Sequence, residues 1–291
     1  MTAAAPEPDP SVARRFGLWW GTVEGLGLVE LIDLAAATGY GSISTTPAMY
    51  LAAREDGITG AALRSQLAAT GITVAVIDPL ITGLPGIPDV GQVGRRFRST
   101  FEPGPEECLT AARALDAAAI NVAHFLGASV EVSELVVTIA ELARAAGDLG
   151  VDLLVEFMPE GSIPDLATAA AIIDAVDAPR CGLTLDTWHL ARTGGTASDV
   201  AALAPGTVRV VQVGDGPAEL VGSGAAPPSA DRLVPGEGAL PLAAVVAAAL
   251  ANNPEARIGP EVFSRVADGT APRRAETNRL ALDVLLRDVE G

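Results

Sequence analysis

The sequence predicts a single (β/α)₈ barrel on three observations. Eight short apolar runs recur along its 291 residues. Ala- and Leu-rich segments with helical spacing separate them, the alternation expected of parallel strands buried on both faces. The length suits one such barrel, which takes about 250 residues on average. Hydrophobic residues make up 49%, enough for a large core and too many for a disordered chain. A doubly wound open sheet is the rival, but no glycine fingerprint follows the first run to support a dinucleotide-binding version.

The elements follow in order. "RFGLWW" ends near Trp20, and the helical pattern Leu28–Ala37 comes next. "YGSIS" ends at Ser44; its continuation "TTPAMY" offers no carboxylate, so the first half of the barrel is expected to be apolar or hydroxyl-rich. After the helix Gly60–Ala69, "ITVAVID" ends at Asp78 and opens the long loop "TGLPGIPDVGQVGRRFRSTFEPG". The helix Pro105–Ala118, the run "INVAHFLG" to Gly127 and the helix Val132–Leu149 form the next unit. "VDLLVEF" to Phe157, the helix Asp165–Val176, "CGLTLD" to Asp186 and "VRVVQVGD" to Asp215 follow. A second long loop spans Gly214–Gly238 before the helix Leu240–Ala251, the run "ARIGPEVF" to Phe263 and a closing helix Arg273–Arg287. Both long loops follow strand C-terminal ends, where barrel active sites form. Residues 1–13 read as a disordered lead, and 14–291 as the barrel domain.

Charge narrows the function. The net charge is −17, and all 19 basic residues are arginine. Nucleic acid and anionic membrane need a basic footprint, so neither is an expected partner. Without lysine there is no Schiff-base chemistry and no P-loop. Cys108 and Cys181 are too few and too far apart for a zinc motif or a disulfide framework, and read as buried small hydrophobes. The N-terminus lacks the apolar core of a signal peptide, and no run of about 18 apolar residues occurs. The expected location is cytoplasmic.

Four consecutive strands each end with one oxygen-bearing side chain: Glu156, Asp186, Gln212 and Glu261. Inside a barrel these converge. Three carboxylates a few ångströms apart repel strongly unless a cation lies between them. All four side chains are hard oxygen donors, which favours one Mg²⁺ or Mn²⁺ ion over Zn²⁺.

The stretches "VEFMP", "LTLDTWH", "VVQVGDGP", "RLVPGEG" and "PEVF" resemble the xylose-isomerase-like TIM barrels, the sugar phosphate isomerase/epimerase superfamily, most strongly from Val151 to Ser264. The resemblance implies metal held by Glu156, Asp186, Gln212 and Glu261, with Glu156 and Glu261 as paired acid and base beside a sugar carbon. It implies that His189, of the D-x-x-H motif, contacts a substrate oxygen. Gln212 stands where sugar epimerases usually carry histidine; with "D-x-P" and "R-x-x-PGEG" it is similar to the 3-dehydroshikimate dehydratases of the same superfamily. Three readings stay open: an isomerase or epimerase of a keto-sugar or related polyol, a dehydratase of the dehydroshikimate or keto-inositol type, and a barrel that binds a ligand without turnover.

His124, Trp19, Trp188 and Arg232 are candidate substrate contacts at the same end of the barrel. Arg95, Arg96 and Arg98 cluster in the loop after the third strand, where they read as anion holders or as a solvated face. The expected partner is a small keto-polyol, and self-association is compatible with the sequence.

Overall fold

Phe16 bridges in parallel to Ile258, which joins the first strand of the chain to the last. In the computed structural model, which describes residues 16–224, 231–263 and 269–290, eight strands run in sequence order around a barrel. They are β1 (Gly17–Leu18), β2 (Ser42–Thr45), β3 (Thr73–Leu80), β4 (Ala119–Ala123), β5 (Asp152–Glu156), β6 (Cys181–Asp186), β7 (Val208–Val213) and β8 (Arg257–Pro260). Each pairs in parallel with the next. The expected N-terminal lead lies outside the described residues.

Helices cover the outside: α1 (Leu28–Ala37), α2 (Pro47–Glu55), α3 (Gly60–Thr70), α4 (Pro105–Leu115), α5 (Val132–Asp148), α6 (Leu166–Val176), α7 (Thr187–Arg192), α8 (Ala197–Ala201), α9 (Leu242–Asn252) and α10 (Ala271–Glu290). The long helices fall where the periodicity puts them. The helix α2 does not, because "TTPAMY" continues the second apolar run in sequence. Its start is fixed locally: Thr46 Oγ1 accepts a hydrogen bond from Met49 N at 3.0 Å, and Pro47 holds the first helical position. Some strands stop earlier than their apolar runs, while β3 continues two residues past Asp78 to Leu80. β4 ends at Ala123 rather than Gly127, and β8 ends one residue before Glu261.

Trp19 fills the inside of the barrel. Its ring packs with Val76, Ala119, Leu154 and Val210, and its Nε1 donates to Val211 O at 3.3 Å. Glycine at position 259 makes room: a Cβ there would sit 2.4 Å from the indole. Both cysteines are buried and free, and burial pushes their thiols up to about 12 for Cys108 and about 11 for Cys181. Among the described residues, no helix is long and apolar enough to cross a membrane.

Candidate active site

Val76 and Asp78, Ala119 and Asn121, Leu154 and Glu156, and Val210 and Gln212 are each two residues apart, so each pair shares one face of its strand. The first member of each pair belongs to the apolar cluster that holds Trp19. The second stands one layer nearer the strand C-terminal end, and all four second members are buried. Trp19, expected to wall the substrate pocket, is instead the floor beneath this polar layer.

Asp186 ends β6 and caps α7. Its Oδ1 accepts from Trp188 N at 2.7 Å and His189 N at 3.1 Å. Its Oδ2 accepts from Arg232 Nη1 at 2.7 Å. Burial alone would raise this carboxyl, but the guanidinium and the helix N–H groups hold it at about 2. The same Nη1 reaches Glu261 Oε2 at 3.0 Å, and Gln212 Nε2 donates to Glu261 Oε1 at 3.0 Å. Burial lifts Glu261 well above the usual carboxylate range even so.

Glu156 is held from the other side. Its Oε2 accepts from Asn121 Nδ2 at 2.6 Å, and that amide also donates to Asp78 Oδ1 at 2.8 Å. Burial, then the charges of Asp78 and Asp186, raise Glu156 well above its ordinary value. Burial also raises Asp78, to about 6. Asp78 and Asn121 correct the expectation that the first half of the barrel lacks a carboxylate. The signal was present: Asp78 closes an apolar run, and Asn121 is an amide in the middle of another.

Arg232 arrives on a loop stapled by one aspartate. Asp215 Oδ1 accepts from Gly216 N at 2.7 Å and Leu240 N at 3.1 Å, while Oδ2 accepts from Gly236 N at 2.9 Å and Gly238 N at 3.0 Å. A Cβ at position 238 would lie 2.3 Å from Asp215 Oδ1, which explains the second glycine of "PGEG". Asp215 also pairs with Leu233 in an antiparallel bridge, so the segment folds back beside β7. The Arg232 guanidinium then lies 5.7 Å from the Trp188 ring and 5.3 Å from the Phe263 ring, two cation–π contacts.

His189 sits in the first turn of α7, and its Nε2 is 3.8 Å from both Glu156 Oε1 and Asp186 Oδ2. Ligand atoms of Glu156, Asp186 and His189 all lie within 4.8 Å of one another. Burial lowers His189 to about 4, and the guanidiniums of Arg232 and Arg192 push the same way. His124 is elsewhere engaged. Its Nδ1 accepts from Ser162 N at 3.0 Å and its Nε2 lies 3.0 Å from Pro85 O. Both ring nitrogens thus tie the loop after β3 to the loop after β5. Arg96 stacks on its neighbour Phe97, within the long loop after β3.

Four carboxylates, Asp78, Glu156, Asp186 and Glu261, are thus buried in this site, and the Arg232 guanidinium pairs with two of them, Asp186 and Glu261. Gln212 Oε1 and Asn121 Oδ1 are buried without a hydrogen-bond partner among the described residues.

Known structures carry the same barrel. A xylose isomerase domain protein from Alicyclobacillus acidocaldarius is 22% identical, with a TM-score of 0.75 over 95% of this chain and 99% of that one. The IOLI protein, crystallised with a binding zinc atom, is 17% identical with a TM-score of 0.78 over 95% and 98%. D-Psicose 3-epimerase from Clostridium cellulolyticum H10, crystallised with D-tagatose, is 14% identical with a TM-score of 0.69 over 94% and 99%. No curated protein matches by sequence. The family described as xylose isomerase-like TIM barrel matches residues 32–285, and this chain belongs to it.

Proposed function

We propose that this protein is a divalent-metal-dependent isomerase or epimerase of an uncharged keto-polyol. The observation that carries the reading is the charge imbalance of the centre. Four buried carboxylates face one internal guanidinium, and such a cluster cannot stay ionised without a further cation. The orphaned Gln212 Oε1 supplies a neutral oxygen donor at the same level. Glu156, Asp186, Gln212 and Glu261 would hold the ion, Mn²⁺ or Mg²⁺ in preference to Zn²⁺ because each donor is oxygen. A cation on Asp186 Oδ2 and Glu261 Oε2 requires Arg232 Nη1 to yield those contacts. The bound ion would polarise a substrate carbonyl and make the adjacent carbon more acidic.

The chain's own groups do the rest. Glu156 and Glu261 approach the centre from β5 and from the end of β8, so a substrate between them meets a carboxylate on each side. One removes the carbon-bound proton and the other returns it. His189 donates to a substrate oxygen.

One specific observation favours a neutral substrate over a carboxylate-bearing one. Arg192, a buried guanidinium that the ion would not displace, is paired with Glu160. An acid of the dehydroshikimate type would have to compete with Glu160 for it.

The test is metal content and ligand choice. Protein purified without chelator should hold about one equivalent of Mn²⁺ or Mg²⁺, and Asp186→Ala should lose it. Ketoses should shift the proton spectrum of a reaction mixture, and 3-dehydroshikimate should stay unchanged. Stoichiometric zinc insensitive to Asp186→Ala, or production of a conjugated dehydration product, would contradict the reading.

A further inference from the structure

Arg192 lies on α7 one turn after His189, and its side chain is buried. Its Nη1 lies 3.5 Å from His189 Nδ1, and its Nη2 pairs with Glu160 on the loop after β5. Guanidinium has five N–H donors and no acceptor. A guanidinium facing Nδ1 can form a hydrogen bond only if that nitrogen is the unprotonated one. The other nitrogen, Nε2, faces two carboxylate oxygens, Glu156 Oε1 and Asp186 Oδ2, both at 3.8 Å. Those oxygens favour a proton on Nε2. Arg232 Nη2 also stands 3.5 Å from Nε2, but it is the weaker claimant there, because Arg232 is already drawn to Asp186 and Glu261.

We propose that Arg192, held in place by Glu160, is a positioning residue that fixes His189 as the Nε2–H tautomer, with its proton aimed into the carboxylate centre. This rests on the reading that His189 serves a substrate oxygen. It also decides a question the geometry raises. Glu156, Asp186 and His189 are close enough to form a three-ligand site of mixed oxygen and nitrogen donors. An imidazole whose Nε2 carries the proton cannot lend that nitrogen to a metal. Arg192 thereby keeps His189 out of the ligand set, so the ion's donors remain oxygen and the ring remains free to donate. A metal ligand histidine usually has its far nitrogen bonded to an acceptor such as a carboxylate or carbonyl; here that place is taken by a donor.

The chain has two histidines, which makes the test direct. Full-length protein labelled with ¹⁵N-histidine is followed by long-range ¹H–¹⁵N correlation, without metal and without substrate. Wild type should show Nε2 protonated and Nδ1 as an acceptor on both rings. For His124 this state is set by Ser162 N and Pro85 O, so it serves as the internal record of a folded barrel. Arg192→Met should shift the His189 tautomer ratio toward Nδ1–H by about tenfold or more, the worth of one hydrogen bond to a charged group. Arg192→Lys should restore it in part. Glu160→Gln should shift it in the same direction by less, and decides the matter if Arg192→Met loses the His124 signature. An Nδ1–H ring in the wild type, or an unchanged ratio in the folded variants, would overturn the proposal. Neither result touches the keto-polyol reading, which fails separately if no ketose exchanges a proton.

Discussion

Arg232 Nη1 lies 2.7 Å from Asp186 Oδ2, deep in the barrel mouth and out of contact with solvent. The arginine comes from the loop after β7 and the carboxylate from the end of β6, so the pair ties a long excursion of chain to the barrel strands. Removing one partner of a buried pair leaves the other charge uncompensated.

Arg232→Met should therefore lower the stability of the chelator-treated protein by roughly 3–5 kcal/mol. Added Mn²⁺ should recover more stability in the variant than it adds to the wild type, because the guanidinium no longer competes for Asp186 and Glu261. Thermal unfolding with and without Mn²⁺ measures both effects. Equal stabilisation of the two proteins would show that Arg232 and the ion do not share those oxygens.

Trp19 is the floor of the site, and its loss should be felt as a cavity. Trp19→Ala should cost about 3–5 kcal/mol in urea unfolding, and Trp19→Phe clearly less. A loss under about 1 kcal/mol would mean that the indole does not fill the barrel interior.

These two residues illustrate what the sequence discloses and what it hides. Glu156 and Asp186 were legible because each terminates an apolar run at the point where a parallel strand must end. Asp78 closes its apolar run in the same way, so the same signal is present there, although β3 itself continues to Leu80. Asn121 is visible as an amide among apolar residues, yet its partner Asp78 is 43 residues away. The role of Arg232 depends on Asp215 folding a loop back on itself, a contact that only tertiary structure creates. Strand alternation puts one of the adjacent rings of Trp19 and Trp20 inside the barrel without saying what it meets there. The start of α2 is a different omission: the Thr46–Pro47 cap was present in the sequence, inside a stretch whose apolar residues also suit a strand.

Asp78 should give stability a pH dependence of known sign. Burial raises this carboxyl to about 6 from 3.8, with Asp186 pushing the same way and Asn121, Trp20 and Arg232 opposing. The folded chain then binds this proton more tightly than the unfolded chain does between those values. Its contribution to stability is present at low pH and declines as pH rises through the window, by at most about 1.4 kcal/mol per pH unit. Asp78→Asn should remove that decline in chelator-treated protein. Denaturant unfolding across pH of about 4 to 7 reads it out; an identical slope in variant and wild type would assign the dependence to other groups.

Proton transfer between Glu156, Glu261 and a substrate carbon should be visible as solvent exchange. The Mn²⁺-loaded protein is incubated with a panel of ketoses in D₂O and followed by proton NMR. Deuterium should appear at the carbon next to the carbonyl in the substrate that turns over, and that exchange should fall about 10²–10⁴-fold for Glu156→Gln and for Glu261→Gln. Turnover that leaves every substrate carbon unlabelled, or exchange that survives both substitutions, would contradict it.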